Sequence, residues 1–411
     1  MNQTRKQNFL QLISFYKPYA GLFWTDLACA LAISGITLIL PLGVRYMADS
    51  LLADGTADIR RLFLAGAALA ILAAIQAACA YFLDYQGHYM GAKMERDMRH
   101  QMFCHCERLS FDYYDEHTVG GLMSRLVGDS LSLAEFFHHV PEDLVINVVK
   151  IVGATIILLA IHWQTALVIL AFLPFMTLYT LHFNKKMGVA MQEGRQRMEE
   201  INAQAEDTLA GIRVVQSFAN EAMEEEKFRR HNERFLESRR LSYRGEAQLY
   251  CGMDTFSALL PILIVVFGGL AILDGSMALP DLLVFLLYIG SFTGPIQSLV
   301  NTSRLLQEGR TSFQRYLELM GTEPRIQDSP DAAMPENIQG RIEFRDVCFH
   351  YGGEPVLQHI QLTIEPGEYV ALVGASGVGK TTLCSLIPRF YQPQNGQVLL
   401  DGMPVDQISL P

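Results

Sequence analysis

Residues 374–381, Gly-Ala-Ser-Gly-Val-Gly-Lys-Thr, set glycines, a lysine and a hydroxyl at the spacing of a loop that wraps phosphate. Gly374, Gly377 and Gly379 permit backbone geometry that turns successive N–H groups toward an anion, with Ala375, Ser376 and Val378 between them. A helix opening at the end of the loop adds partial positive charge. Lys380 is then placed to bridge terminal phosphates, and the Thr381 hydroxyl to ligate Mg²⁺. The flanks suit this chemistry: Tyr369–Val373 reads as a buried strand before the loop, and Thr381–Ile387 as helix after it.

Other candidates are weaker. Val347–Tyr351 ends an alternating strand, leaving the Tyr351 ring at its exit where it could stack on a base. Gly396–Gly402 reads as a strand closed by a structural Asp-Gly turn. His100 and Cys104 share a helix face, but Cys106 does not and no second cluster accompanies them, which argues against a metal site. Beyond the magnesium ion at the phosphate loop, no metal is expected.

Such a loop needs a scaffold, and most of the chain is something else. Its 411 residues are 50% hydrophobic and 18% charged, with mean hydropathy +0.19. Disorder, collagen-like and disulfide-knot classes are excluded. A formal charge of −11 argues against a nucleic-acid binder with a basic surface. Seven scattered cysteines, several in apolar runs, read as reduced and buried.

The apolar residues fall in runs long enough to cross roughly 30 Å of hydrocarbon. Six spans are expected, near 22–44, 62–83, 145–161, 164–183, 256–273 and 282–300, with the third and fourth divided at His162-Trp163-Gln164. Basic residues alternate between connections. Arg5, Lys6 and Lys17 lie before span one, Lys93, Arg96, Arg99, Arg108 and Arg125 after span two, and Lys185, Lys186, Arg195, Arg197 and Arg213 after span four. The connection Asp274–Asp281 has none. Both termini are therefore expected in the cytoplasm, with the chain retained in the cytoplasmic membrane.

The two long basic loops carry helical periodicity and read as extensions of the spans, each pair of helices meeting at a short element. Ile212, Val215, Phe218 and Ala219 form an apolar face that either packs on the neighbouring loop or docks on something else. Asp26, Lys150 and Asp254 lie in spans but near cytoplasmic ends, where side chains reach the interface. Gln76, Pro41, Pro174, Pro261 and Pro295 could loosen helices beside a cavity.

Residues 1–320 thus form a membrane domain, 321–340 a proline-rich linker, and 341–411 the start of a nucleotide-binding domain. The expected fold is an α-helical membrane domain of six transmembrane helices with long cytoplasmic extensions, followed by an incomplete α/β P-loop domain.

Three segments carry a resemblance. Tyr113-Tyr-Asp115, Gly120, Leu122-Met-Ser-Arg125-Leu and Asp129 look like one cytoplasmic-loop signature of exporter-type ABC half-transporters. Gly211-Ile-Arg-Val-Val-Gln-Ser-Phe218-Ala-Asn-Glu221 looks like the other, and Val373–Thr382 resembles the family's phosphate loop. The chain therefore resembles bacterial multidrug and lipid exporters along nearly all its length. The resemblance implies a homo- or heterodimer of six-helix units around an alternating-access cavity, driven by ATP and Mg²⁺ and moving a hydrophobic or amphipathic substrate across the bilayer. It places Tyr351 on adenine and Thr382 in the phosphate loop, and assigns coupling helices near Arg125–Leu133, with Asp129, and at Ser217, Phe218 and Glu221.

The departure from the family lies after the phosphate loop. Within the sequence there is no glutamine loop, signature motif, Walker B aspartate, catalytic glutamate or switch histidine, so no catalytic residue is expected. Two readings remain: the N-terminal portion of an ATP-driven exporter, or a truncated, non-hydrolysing partner of a full-length subunit. An importer permease fits poorly with the helical, exporter-like loops.

Overall fold

In hydrocarbon every backbone N–H and C=O must be satisfied within the segment, so long apolar runs become helices. The computed structural model describes residues 12–51, 59–329, 332–335 and 337–409. Arg5 and Lys6 of the basic lead, Pro330, Asp331 and Glu336 of the linker, and Leu410 and Pro411 lie outside the described residues. Five helical segments are long and apolar enough to cross a membrane: Leu12–Asp49, Ile59–Cys106, Val119–Ala210, Glu221–Leu273 and Leu279–Met320. This is a multi-pass membrane protein.

The helices are α1 (Ala20–Tyr46), α2 (Ile59–Phe82), α3 (His88–Cys106), α4 (Phe111–Glu116), α5 (Val119–Met123), α6 (Ser130–Ala210), α7 (Ile212–Ser217), α8 (Glu221–Leu273), α9 (Leu279–Leu287) and α10 (Gly290–Met320). The expected third and fourth spans both lie in α6, whose one non-helical residue is His162, at φ −153° and ψ 97°. There the imidazole Nδ1 accepts from the Thr165 hydroxyl at 2.9 Å and the Thr165 N–H at 3.3 Å. The side chain thus caps the renewed helix. Pro41, Pro174, Pro261 and Pro295 sit inside α1, α6, α8 and α10, as expected.

The chain divides into two compact units, Met1–Gly91 with Glu135–Gln307, and Ala92–Ala134 with Glu308–Pro411. In the first unit, Leu158, Leu260, Ile264, Phe285 and Tyr288 form an apolar core. Polar pairs tie its helices: Arg45 to Asp281 at 2.6 Å, and the Tyr288 hydroxyl to the Leu38 carbonyl. The Asn147 amide donates to the Ser298 hydroxyl at 2.8 Å, and Gln76 to the Thr37 hydroxyl at 3.3 Å. Helix α2 buries none of its residues, and Phe63, Leu64 and Ile71 are exposed along it, apolar surface of the kind that lipid covers. Asp26 is buried, Lys150 half-buried and Asp254 exposed.

The second long loop folds as expected, α6 and α8 meeting at the short α7. Near this tip, Gln204 and Thr208 of α6 both donate to Glu224 Oε2 of α8 at 2.9 Å.

In the second unit, Met94, Met98 and Met102, four residues apart, are buried on one face of α3. Tyr316 of α10 is also buried and donates to Gln101 Oε1 at 2.9 Å. The strands β1 (Ile342–Phe349), β2 (Leu357–Ile364), β3 (Asn395–Leu400) and β4 (Met403–Pro404) form an antiparallel sheet in the order β2-β1-β3-β4. Phe344 stands opposite Leu362 on one side and Val398 on the other. Helix α11 (Lys380–Leu386) closes the small core with Leu383 and Leu386.

Two expectations are corrected. Of the seven cysteines Cys106 alone is buried, and Cys251 and Cys384 are exposed. Tyr369–Val373 is not a buried strand: it has no regular structure, and Tyr369 and Val373 are 102% and 92% exposed. A buried strand needs neighbours to complete its hydrogen-bond ladder, and none of the described strands pairs with these residues. The sheet is accordingly antiparallel rather than the parallel core of an α/β domain.

The Asp-Gly turn after β3 is structural, as expected. The Asp401 carboxylate accepts from the N–H groups of Gln339, Gly340 and Arg341 at 2.7, 3.1 and 2.8 Å. It thereby gathers the chain entering β1.

Candidate functional site

The phosphate-loop candidate lies in the second unit, between the irregular 369–373 segment and α11. Gly377 and Gly379 have φ of +83° and +96°, left-handed values that favour glycine. A Cβ on Gly379 would also stand 2.8 Å from Leu357 Cδ2, so the loop closes against β2 only without a side chain. Lys380 opens α11, and the Leu383 N–H bonds to the Gly379 carbonyl at 2.9 Å.

Amphipathicity orients that short helix. Thr382, Leu383 and Leu386 are buried, while Thr381 is exposed. The Lys380 ammonium donates to the carbonyls of Gly374 at 3.0 Å and Ala375 at 2.7 Å, spanning its own loop. Ser376 and Val378 are exposed on the loop's outer side. An ammonium held by two neutral carbonyls exchanges them readily for phosphate oxygens, which carry full charge. Lys380, the exposed Thr381 hydroxyl and the loop N–H groups therefore fit a magnesium-bound polyphosphate in donor type.

Tyr351 leaves β1 beside this helix, and its hydroxyl donates to the Thr382 hydroxyl at 3.1 Å. Its ring meets Phe349 and Tyr391 edge-on, with centroids 4.8 and 5.1 Å away, and is 51% exposed. Gln394 fixes this exit by accepting from the His350 N–H and donating to its carbonyl, both at 3.0 Å. Tyr351 also lines a 690 Å³ cavity with Asp112, Asp115, Arg325 and Tyr391. Arg325 pairs with Asp112 at 3.0 Å, and the Tyr391 hydroxyl donates to Asp115 at 2.8 Å. Burial, aided by the adjacent Asp115 carboxylate, pushes the Tyr391 phenol well above its ordinary range.

Sequence reasoning missed Tyr391, Arg325 and Gln394. The aromatic pair Phe390-Tyr391 after a helix was the available signal, because Phe390 also packs on Phe111 with centroids 4.4 Å apart.

The coupling candidates fall in different settings. Ser217 ends α7 and Glu221 begins α8, with Phe218 between them 72% exposed. Arg125 is half-buried, whereas Asp129 is buried, accepting from the Ser312 hydroxyl at 3.0 Å and pairing with Arg315. Residues 124–129 form a wide helical turn leading into α6, and the short helices α4 and α5 precede it. His100 lies 3.7 Å from the Cys104 sulfur, while Cys106 is buried.

Comparison with known proteins bears on all of this. A family model described as ABC transporter transmembrane region matches residues 23–296, and one described as ABC transporter matches 357–411. The ABC transporter ATP-binding protein YwjA of Bacillus subtilis (strain 168), itself uncharacterized, is 36% identical over 401 residues, covering 97% of this chain and 69% of the relative. An ATP-dependent lipid A-core flippase of Syntrophus aciditrophicus (strain SB) is 28% identical over 407 residues, covering 99% and 67%. One from Aromatoleum aromaticum is 29% identical over 415 residues, covering 98% and 68%.

Proposed function

The chain belongs to the ABC transporter family, and we propose that it is an ATP-binding subunit of an exporter-type transporter whose own 411 residues hold nucleotide without hydrolysing it. The observation that carries this reading is the loop 374–381, with left-handed Gly377 and Gly379 and with Lys380 already spanning it. Lys380 and the loop N–H groups take the phosphates, Thr381 takes Mg²⁺, Thr382 anchors the helix, and Tyr351 turns its exposed ring to the base.

Phosphoryl transfer also needs a group that orients the attacking water and donors that stabilise the equatorial oxygens. The sequence contains neither the family's catalytic glutamate nor its switch histidine. Domains dividing at 320 and 340 and six crossings, with α6 split at His162, belong to the same proposal. So do cytoplasmic termini, a dimer with a second half-transporter, and α7 with Phe218 as the coupling surface. Two relatives named as lipid A-core flippases support an amphipathic lipid as the substrate class.

ATPase assays on the chain alone, and then with a complete half-transporter, test the reading. Saturable binding of a fluorescent ATP analogue without turnover by the chain alone is expected, with binding lost in Lys380→Ala while membrane insertion is kept. Hydrolysis by the purified chain alone would overturn it.

A further inference from the structure

Three buried side chains of the first unit converge without hydrogen-bond partners for one atom each. They are Asp26 of α1 and, one turn apart on the same face of α6, His138 and Glu142. They are 5%, 3% and 8% exposed. Asp26 Oδ1, His138 Nδ1 and Glu142 Oε2 are all buried and unpaired. One ligand atom from each residue lies within 4.8 Å of the others, and His138 Nδ1 is 3.8 Å from Glu142 Oε2.

The space is kept open by a glycine. Gly87, in the widened helical stretch Leu83–Gly87 that carries α2 into α3, has no side chain where a Cβ would stand 2.5 Å from His138 Cε1 and 2.9 Å from both Asp26 Oδ1 and His138 Nδ1. No lysine or arginine among the described residues forms an ion pair with Asp26 or Glu142. Two carboxylates buried together repel each other and are costly unless a cation or protons neutralise them.

We propose that Asp26, His138 and Glu142 bind a divalent transition-metal ion of the Zn²⁺ type. One imidazole nitrogen and two carboxylate oxygens make a suitable donor set, leaving a fourth position for water. Tetrahedral ligands at about 2.0–2.1 Å from the metal stand about 3.3 Å from one another, so spacings of 3.8 Å and up to 4.8 Å close by about 0.5 to 1.5 Å when the ion binds. The ion neutralises both carboxylates and satisfies all three orphaned atoms at once. His88 packs against the His138 ring with centroids 4.4 Å apart, and its Nδ1–H donates to the Asp84 carbonyl at 2.6 Å. Binding would clip α1 to α6.

The test uses the whole purified chain in detergent, stripped with chelator and titrated with Zn²⁺ alone. One tightly held Zn²⁺ per chain by elemental analysis is expected. Affinity should fall tenfold or more in Glu142→Gln, His138→Gln and Gly87→Ala, the last of which removes no ligand. Wild-type protein loaded with Co²⁺ supplies a readout independent of any variant's folding: visible bands of a nitrogen and oxygen site, without thiolate charge transfer. Thiolate bands would assign the ion to cysteines and overturn the proposal. Unchanged affinity in correctly folded variants would do the same, as would wild-type protein that takes up no Zn²⁺, because the three groups are then neutralised by protons.

Discussion

The Tyr391 hydroxyl, beyond α11, donates to Oδ2 of Asp115 in α4 at 2.8 Å. A tyrosine that follows helix α11 thereby holds an acidic residue from the first long basic loop, within one compact unit. Removing the hydroxyl with Tyr391→Phe should cost about 1.5–3 kcal/mol, the range for a bond to a charged acceptor. The phenol's pKa is raised on folding, so its contribution is present below the unfolded value of about 10 and lost as pH rises past it. Denaturant unfolding at neutral and alkaline pH checks both: the gap between wild type and Tyr391→Phe should narrow at high pH.

Gly379→Ala should damage the phosphate loop through the backbone. Its φ of +96° and the 2.8 Å approach of a new Cβ to Leu357 cost about 1–3 kcal/mol and shift the start of α11. Titration with a fluorescent ATP analogue should show at least tenfold weaker binding, and an unchanged affinity would contradict the assigned geometry.

Asp401 gives a pH-dependent signature. The N–H groups of Arg341, Gly340 and Gln339 hold its carboxyl below the usual range. Its stabilising contribution is therefore complete above the unfolded value of about 4 and lost as pH falls through the lowered folded value. Amide exchange at 339–341, compared between wild type and Asp401→Ala, should differ strongly at pH 6 and converge in strong acid.

Phe218→Asp separates folding from coupling. The ring is 72% exposed, so unfolding of the isolated chain should move by no more than about 0.5 kcal/mol. ATP-driven transport by an assembly with a complete second subunit should be lost. A large stability change would mean that the ring packs within its own chain.

What could be read from the sequence was local. The candidate phosphate loop is contiguous, so its glycine spacing and Lys380 could be read without knowledge of the fold. The break at His162 was legible because a polar triplet interrupts an apolar run. Asp129 was not: its loop position suggested a docking tip, whereas its burial depends on Ser312 and Arg315, more than 180 residues away. His138 and Glu142 carry no motif, because their third neighbour, Asp26, comes from another helix. Tyr369–Val373 failed for the opposite reason, since an apolar run shows strand propensity but not whether a neighbouring strand is there to pair with it.

That bare segment also leaves apolar side chains uncovered among the described residues: Tyr369 and Val373 stand almost fully in solvent directly before the loop, while Leu383 and Leu386 just after it are buried.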